Sequence, residues 1–390
     1  MWLSAAEALT RLGSKPQSLY ASVSRGRIRA KPDPLDTRRS LYREEDVDRL
    51  AARARGRRSS ATVASEAISW GDPVLPSAIS TVSGGRLYYR GLDTVALSAG
   101  AGLEDIATLL WDGASSLPVT APGPAAATPM ASAFAVLAER AAFAVPSAGL
   151  GPWQLRGEAA GVLGAMADAM LGAGSGPLHL RLADRLGRPD AADVLRRALV
   201  LLADHELNAS TFAARVAVST GASLAAGALA GLATFTGPRH GTAAGAVLAL
   251  ALDIGPHADR PGDGLREWLG EGRIIPGFGH RLYPGGDVRA EALLGAIGVP
   301  AAFRKLAAVA EDLLGDRPNV DFALAALTAA YDLPPHAPAT IFALARSVGW
   351  LAHMLEQVAS GQLIPPRARY VGPAVQPVPG PRGCCSSSTQ

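Results

Sequence analysis

Gly277-Phe278-Gly279-His280-Arg281-Leu282-Tyr283-Pro284, continuing through Gly285-Gly286-Asp287-Val288-Arg289-Ala290, is the stretch on which the reading of this chain turns. Glycines and a proline bracket a histidine and an arginine, so the backbone must turn sharply or pass close to something. A helical pattern, Arg289-Ala290-Glu291-Ala292-Leu293-Leu294, begins after Asp287, which has the chemistry of a helix cap. One loop thus offers an imidazole and two guanidiniums, the equipment for a small anion with a reactive carbonyl. Alone, such a loop can equally be a plain connection.

The surrounding chain narrows the choice. At 390 residues it is too long for one ordinary core, so two or more domains are expected. Alanine and glycine are abundant, aromatics are 5%, and helical periodicity outweighs alternation. These features predict a mainly α protein with closely packed helices. No uninterrupted apolar run approaches about 18 residues, which predicts no membrane span. Met1-Trp2-Leu3-Ser4 has no basic region followed by an apolar core, so no secretory signal is expected. The only cysteines, Cys384-Cys385, lie in a polar tail and suggest neither a disulfide framework nor a metal site. A cytoplasmic protein is the expectation.

The net charge of +3 conceals an asymmetry. Residues 1–58 carry 14 Lys and Arg against 7 Asp and Glu, while the remainder carries 23 against 27. A basic head on a mildly acidic body points to a polyanionic partner for the head. Ser4-Ala5-Ala6-Glu7 is a capping box opening a short helix that Gly13 closes. A second helix starts near Ser14-Lys15-Pro16-Gln17 and ends at Gly26. It carries Gln17, Ser18, Tyr20, Ser22, Ser24 and Arg25, groups able to reach bases and phosphates. Arg27-Ile28-Arg29 to Tyr42 reads as a basic hairpin, and Glu44-Glu45-Asp46 opens a third helix. This head resembles the MerR/excisionase type of winged helix-turn-helix, which implies DNA as a partner. A small solvated helical cap is the alternative.

Farther on, residues 66–95 read as short strands and turns, and helical patterns cover about 103–113, 128–144, 154–173 and 190–202. Thr211–Phe235 reads as a long, buried Ala/Gly helix with a possible break near Gly221. Thr340–Gln357 is a strong helix carrying Arg346 and His353. Three further stretches join the opening loop: Asp204-His205-Glu206-Leu207-Asn208-Ala209-Ser210, Gly237-Pro238-Arg239-His240-Gly241 and Arg317-Pro318-Asn319-Val320-Asp321-Phe322.

In that order, the four stretches resemble the citrate synthase family over roughly residues 70–372. The resemblance implies a two-domain helical fold behind the helix-turn-helix head. Its large domain would span residues 59–240 and 334–372, its small domain 241–333, with a disordered tail at 373–390. It implies acetyl-CoA and oxaloacetate as substrates, citrate and CoA as products, no metal or prosthetic group, and a homodimer. Asp321 takes the role of the base, with helix capping as its alternative. His240 is the neutral donor that stabilises the enolate, consistent with a helix N-terminus that disfavours imidazolium. His280 polarises and protonates the ketone, and His205 helps bind oxaloacetate. Arg289 and Arg346 pair with its carboxylates. Arg281, Ile275, Gly277 and Gly279 approach coenzyme A.

Two departures stand out. The family's carboxylate-binding arginine before a C-terminal proline is Pro365 here, with Arg367 two residues on. The polar amide after the His-Gly pair of the family becomes Ala244. The rival expectations are a 2-methylcitrate synthase using propionyl-CoA, and a metabolite-sensing DNA-binding regulator with little or no turnover.

Overall fold

The computed structural model describes residues 2–12, 19, 22–23, 28–33, 36–48, 74–113, 127–238, 240–254, 261–271, 273–365 and 372–373. Some sequence expectations lie outside the described residues: Gln17, Ser18, Tyr20, Ser24 and Arg25 of the head, the basic linker at 55–60, Arg239, Arg367 and the Cys384-Cys385 tail. The chain divides into two compact units, Met1–Val74 with Pro365–Gln390, and Leu75–Ile364.

In the first unit, helix α1 (Ala5–Leu12) starts as the capping box predicts. Ser4 N donates to Glu7 Oε2 at 2.8 Å and Glu7 N donates to Ser4 Oγ at 3.3 Å, satisfying two amides that a helix start leaves open. Strands β1 (Trp2–Leu3), β2 (Ala30–Asp33) and β3 (Asp36–Arg43) make an antiparallel sheet in the order β1-β3-β2. The β2–β3 pair is the expected hairpin, whereas β1 is too short to show a pattern in sequence. Leu3, Ala8, Leu19, Ile28, Tyr42 and Val47 form a small core of their own. Some basic side chains are paired internally: Arg11 Nη1 with Glu44 at 2.8 Å, and the Arg29 fork with Asp46 at 2.7 and 2.9 Å.

The second unit opens with a hairpin, β4 (Ser80–Ser83) and β5 (Arg86–Tyr89), turning through Gly84 and Gly85 at φ 57° and 73°, and extended by β6 (Leu92–Asp93). Helices follow: α2 (Thr94–Ser98), α3 (Leu103–Leu110), α4 (Pro129–Phe143), α5 (Pro152–Leu171), α6 (Leu178–Arg185), α7 (Ala192–Leu202), α8 (Ala209–Ser219) and α9 (Leu224–Phe235). After these come α10 (Ala243–Ile254), α11 (Pro261–Gly270), α12 (Val288–Leu294), α13 (Ala301–Leu314), α14 (Val320–Ala330) and α15 (Ala337–Ser360). The protein is mainly helical, as expected. The pattern over 211–235 is two helices, because Gly221 turns left-handed (φ 87°) and Ser223 Oγ then caps α9 by accepting from Ala226 N. Helix α6 is not among the sequence expectations; only Leu178, Leu182 and Ala183 of it are buried.

Two apolar clusters hold this unit. The larger runs from Ile79 and Tyr89 through α3–α9 to α15. A smaller one joins Val247, Leu250, Ile275, Phe303, Leu306 and Phe322 from α10, α13, α14 and the 275 turn. Helix α15 is buried on nearly every face, with Trp111 Nε1 donating to its Val348 carbonyl at 3.1 Å. Among the described residues no helix is long and apolar enough to cross a membrane.

Candidate active site

The opening stretch folds into a turn that only glycine fits at two points. Gly277 and Gly279 have φ 87° and 68°. A Cβ on them would lie 2.7 Å from Val247 Cγ2 and 2.9 Å from the Asp316 carboxylate, respectively. This turn is pinned to the stretch before α14: Gly279 N donates to Arg317 O at 2.9 Å, Asn319 N to Gly277 O at 2.8 Å, and Asn319 Nδ2 to Gly279 O at 3.1 Å. Two motifs distant in sequence are thus fastened side by side.

Asn319, not Asp321, caps α14, its Oδ1 accepting from Asp321 N at 3.0 Å. The capping alternative for Asp321 therefore falls away. Among the described residues the Asp321 carboxylate has no hydrogen-bond or ion-pair partner. Burial pushes its pKa up to about 6, above the ordinary 3.8, although the charge of Arg289 opposes the rise.

His205, His280 and Tyr283 form one cluster. The two imidazoles meet edge-on with ring centres 5.0 Å apart, and His205 Nε2 lies 2.9 Å from Tyr283 Oη. Leu282 N donates to His280 Nδ1 at 3.2 Å, so that nitrogen carries a lone pair and the proton of the neutral ring sits on Nε2. Burial, with the charge of Arg289, lowers His280 to about 4 and His205 well below its ordinary value. Both rings are neutral at physiological pH.

Arg289 is held by Asp287, which caps α12. Nε and Nη2 donate to the two carboxylate oxygens at 2.9 and 2.8 Å, and Asp287 also accepts from Val320 N at 3.1 Å. The pair is almost wholly buried. Arg346 differs. It is equally buried, its Nε donates to Leu202 O at 3.0 Å, and its Nη2 has no partner among the described residues. A buried guanidinium N–H left this way is suited to a carboxylate.

His240 Nε2 lies 2.7 Å from Ser210 Oγ, which also accepts from Trp350 Nε1 at 3.0 Å and sits 2.8 Å from Asn208 Oδ1. Its pKa is lowered to about 4 by burial and then by the charge of Arg346. Burial is thus a cause of this ring's neutrality that the sequence did not show.

The structure thus gathers His205, His280 and Arg289 around Tyr283, and sets Asp321 within the field of Arg289 first and Arg346 second, and His240 within that of Arg346. Arg281 is exposed, and the Ile275 side chain packs in the smaller core, leaving its backbone as the part able to meet a ligand. Ala244 is buried and Pro365 exposed. Ser210, Tyr283, Asp287 and Trp350 received no site role from sequence, which gave Asp287 only that of a helix cap. The first three stand inside the quoted stretches, and that adjacency was the available signal.

The helical unit thus carries neutral imidazoles, a carboxylate of raised pKa and buried arginines. Residues 165–367 match the family model for the citrate synthase C-terminal domain, and the chain belongs to the citrate synthase family. It is 37% identical over 198 residues to citrate synthase 2 of Bacillus subtilis, covering 48% of this chain and 53% of that one. It is 36% identical over 191 residues to citrate synthase of Haloferax volcanii, covering 46% and 50%. The chain thus spans about half the length of the relatives it matches. Among solved structures, citrate synthase from Thermotoga maritima aligns with a TM-score of 0.61 at 25% identity, over 79% of this chain and 96% of that one. The Thermoplasma acidophilum citrate synthase, in ternary complex with carboxymethyl coenzyme A and oxaloacetate, aligns at 0.65 over the same shares and shares the fold at 24% identity.

Proposed function

We propose that this chain condenses acetyl-CoA with oxaloacetate and water to give citrate and CoA. The observation that carries the proposal is Asp321: relieved of capping by Asn319, unpartnered, and raised to about 6, it is a base whose pKa lies near working pH. It takes a proton from the thioester methyl group. His240 donates to the thioester oxygen as the enolate forms. That donation is from Nδ1, which requires the Ser210 hydroxyl proton, given to Asn208 Oδ1 at 2.8 Å in this structure, to turn to His240 Nε2, 2.7 Å away. The new carbon nucleophile attacks the ketone of oxaloacetate, and the His280 Nε2 proton passes to the resulting alkoxide. His205, Arg346 and Arg289 hold the oxo acid, with Arg367 as the further cation. Coenzyme A runs past Arg281 and the Ile275–Gly279 backbone. Water then cleaves the thioester, releasing CoA. The working unit is a homodimer.

The test is thiol release from acetyl-CoA plus oxaloacetate by wild type and Asp321→Ala, repeated with propionyl-CoA. Release that is absent from the variant supports the assignment; equal release by both removes it. Faster release with propionyl-CoA assigns 2-methylcitrate synthesis instead.

A second reading is favoured by the first unit, whose capped helix, β2–β3 hairpin and separate core suit a winged DNA-binding head. In it, residues 1–58 bind DNA and the citrate synthase-like unit senses a metabolite. Salt-dependent retention of a DNA site by protein that releases no thiol decides for this reading.

A further inference from the structure

Behind His205 lies a chain of buried polar groups that the condensation does not use. Helix α15 meets the three residues before His205 in register. Arg346 Nε donates to Leu202 O at 3.0 Å, Gly349 N to Ala203 O at 3.1 Å, and His353 Nε2 stands 3.2 Å from Asp204 Oδ2. The fit at the middle point admits only glycine, since a Cβ on Gly349 would lie 2.3 Å from Asp204 Oδ1 and 2.4 Å from Ala203 O. Asp204 and His353 are both fully buried.

The hydrogen bonds settle the state of His353. Arg215 Nη1, which can only donate, lies 3.2 Å from His353 Nδ1, so Nδ1 accepts and the ring proton is on Nε2, facing Asp204. A neutral imidazole therefore bridges a buried cation and a buried anion. Arg215 is anchored beyond it by Glu356 at 2.6 Å and Gln357 at 2.9 Å. Asp204 Oδ2 also accepts from Ser80 Oγ, and Ser80 Oγ in turn accepts from Glu206 N at 2.9 Å. Glu206, held at φ 50°, is fastened to Val82 N and Thr81 Oγ1. His205 is thus gripped from both neighbours in sequence.

We propose that His353 is a positioning residue for the oxo-acid site: by bridging Arg215 and Asp204 it fixes the 202–206 segment, so that His205 and the unpartnered face of Arg346 point into one place. It touches no substrate. This inference rests on the condensation reading only for the identity of the ligand.

Three variants of the full chain test it. His353→Leu removes both hydrogen bonds and leaves Asp204 without one of its donors; the KM for oxaloacetate rises on the order of ten- to a hundred-fold, while the KM for acetyl-CoA and kcat stay within about two-fold. His353→Gln keeps an acceptor toward Arg215 and a donor toward Asp204, and it restores most of the oxaloacetate KM. Ser80→Ala, a smaller change that removes the other donor to the same Asp204 oxygen, raises the same KM and carries the test if His353→Leu does not fold. Oxaloacetate binding by calorimetry supplies a readout independent of turnover. A fall in both substrates' affinities together, or an unchanged oxaloacetate affinity in His353→Leu and Ser80→Ala, overturns the proposal. If wild type binds oxaloacetate but releases no thiol, the condensation reading fails and the calorimetric comparison still decides this one. If wild type does not bind oxaloacetate, both fall.

Discussion

Arg289 and Arg346 lie in the same unit, are buried alike, and have opposite surroundings. Around Arg289 the charge is closed: Asp287 takes two of its N–H groups and also ties α12 to α14 through Val320 N. Around Arg346 and Asp321 it is open, with a guanidinium nitrogen and a carboxylate that have no partners among the described residues. A closed buried pair serves the fold, because breaking it strands a charge in a poorly solvating interior. Open groups cost stability and repay it only when a ligand meets them. The first region is scaffold with a cationic edge; the second holds the groups proposed to carry the chemistry.

Asp321→Asn probes the open region most severely. Thiol release is expected to fall by roughly 10²- to 10⁴-fold, the span general-base catalysis supplies. The melting temperature, followed by circular dichroism, should hold or rise, because burial already disfavours the charged carboxylate. A variant that loses both activity and its cooperative melt would place Asp321 in the scaffold instead.

Asp287→Ala is the matching probe of the closed region. Leaving Arg289 buried and uncompensated is expected to cost about 3–5 kcal/mol of stability in denaturant titration. Arg346→Met should do the reverse: stability unchanged or improved, and oxaloacetate affinity weakened by about 2–5 kcal/mol in calorimetry. Equal effects of the two changes on stability would erase the distinction between the regions.

The mildest probe is pH. With Asp321 as the proposed base, kcat/KM should fall about tenfold per unit below pH about 6, and Asp321→Asn should lack this limb. His240 and His280, neutral down to about 4, add no limb above it. The stability contributions have opposite signs. The folded chain holds the Asp321 proton more tightly than the unfolded chain does, so that contribution is present below 3.8 and lost as pH rises through about 6. The histidines bind protons more weakly when folded. Their contribution is present above 6.5 and lost as pH falls toward 4.

Much of this was legible in the sequence where a local rule applies. The Ser4–Glu7 box, the break at Gly221 and the cap at Asp287 each depend on a few adjacent residues, and each appears in the structure. The site residues were legible as ordered motifs, and His205, His280 and Arg289 do converge. Asp321 was ambiguous, because Asn319 and Asp321 can both cap a helix and only the observed hydrogen bond separates them. That burial also keeps His240 neutral was not legible, since burial is a property of the folded interior while helix ends are visible in sequence. Helix α6 was passed over because only three of its residues face the core.

By itself, the order of residues determined a mainly helical chain, a basic head, and which imidazoles, carboxylates and guanidiniums were candidates for chemistry. Those depend on composition, spacing and backbone preference, which act over one or two turns. Tertiary structure alone decided which charges are closed and which open, that Asn319 leaves Asp321 free, and that His353 bridges Arg215 to Asp204 across 138 and 149 positions of sequence. The reason is physical: solvation and pairing belong to a place in space, and no local pattern specifies which distant group will share it.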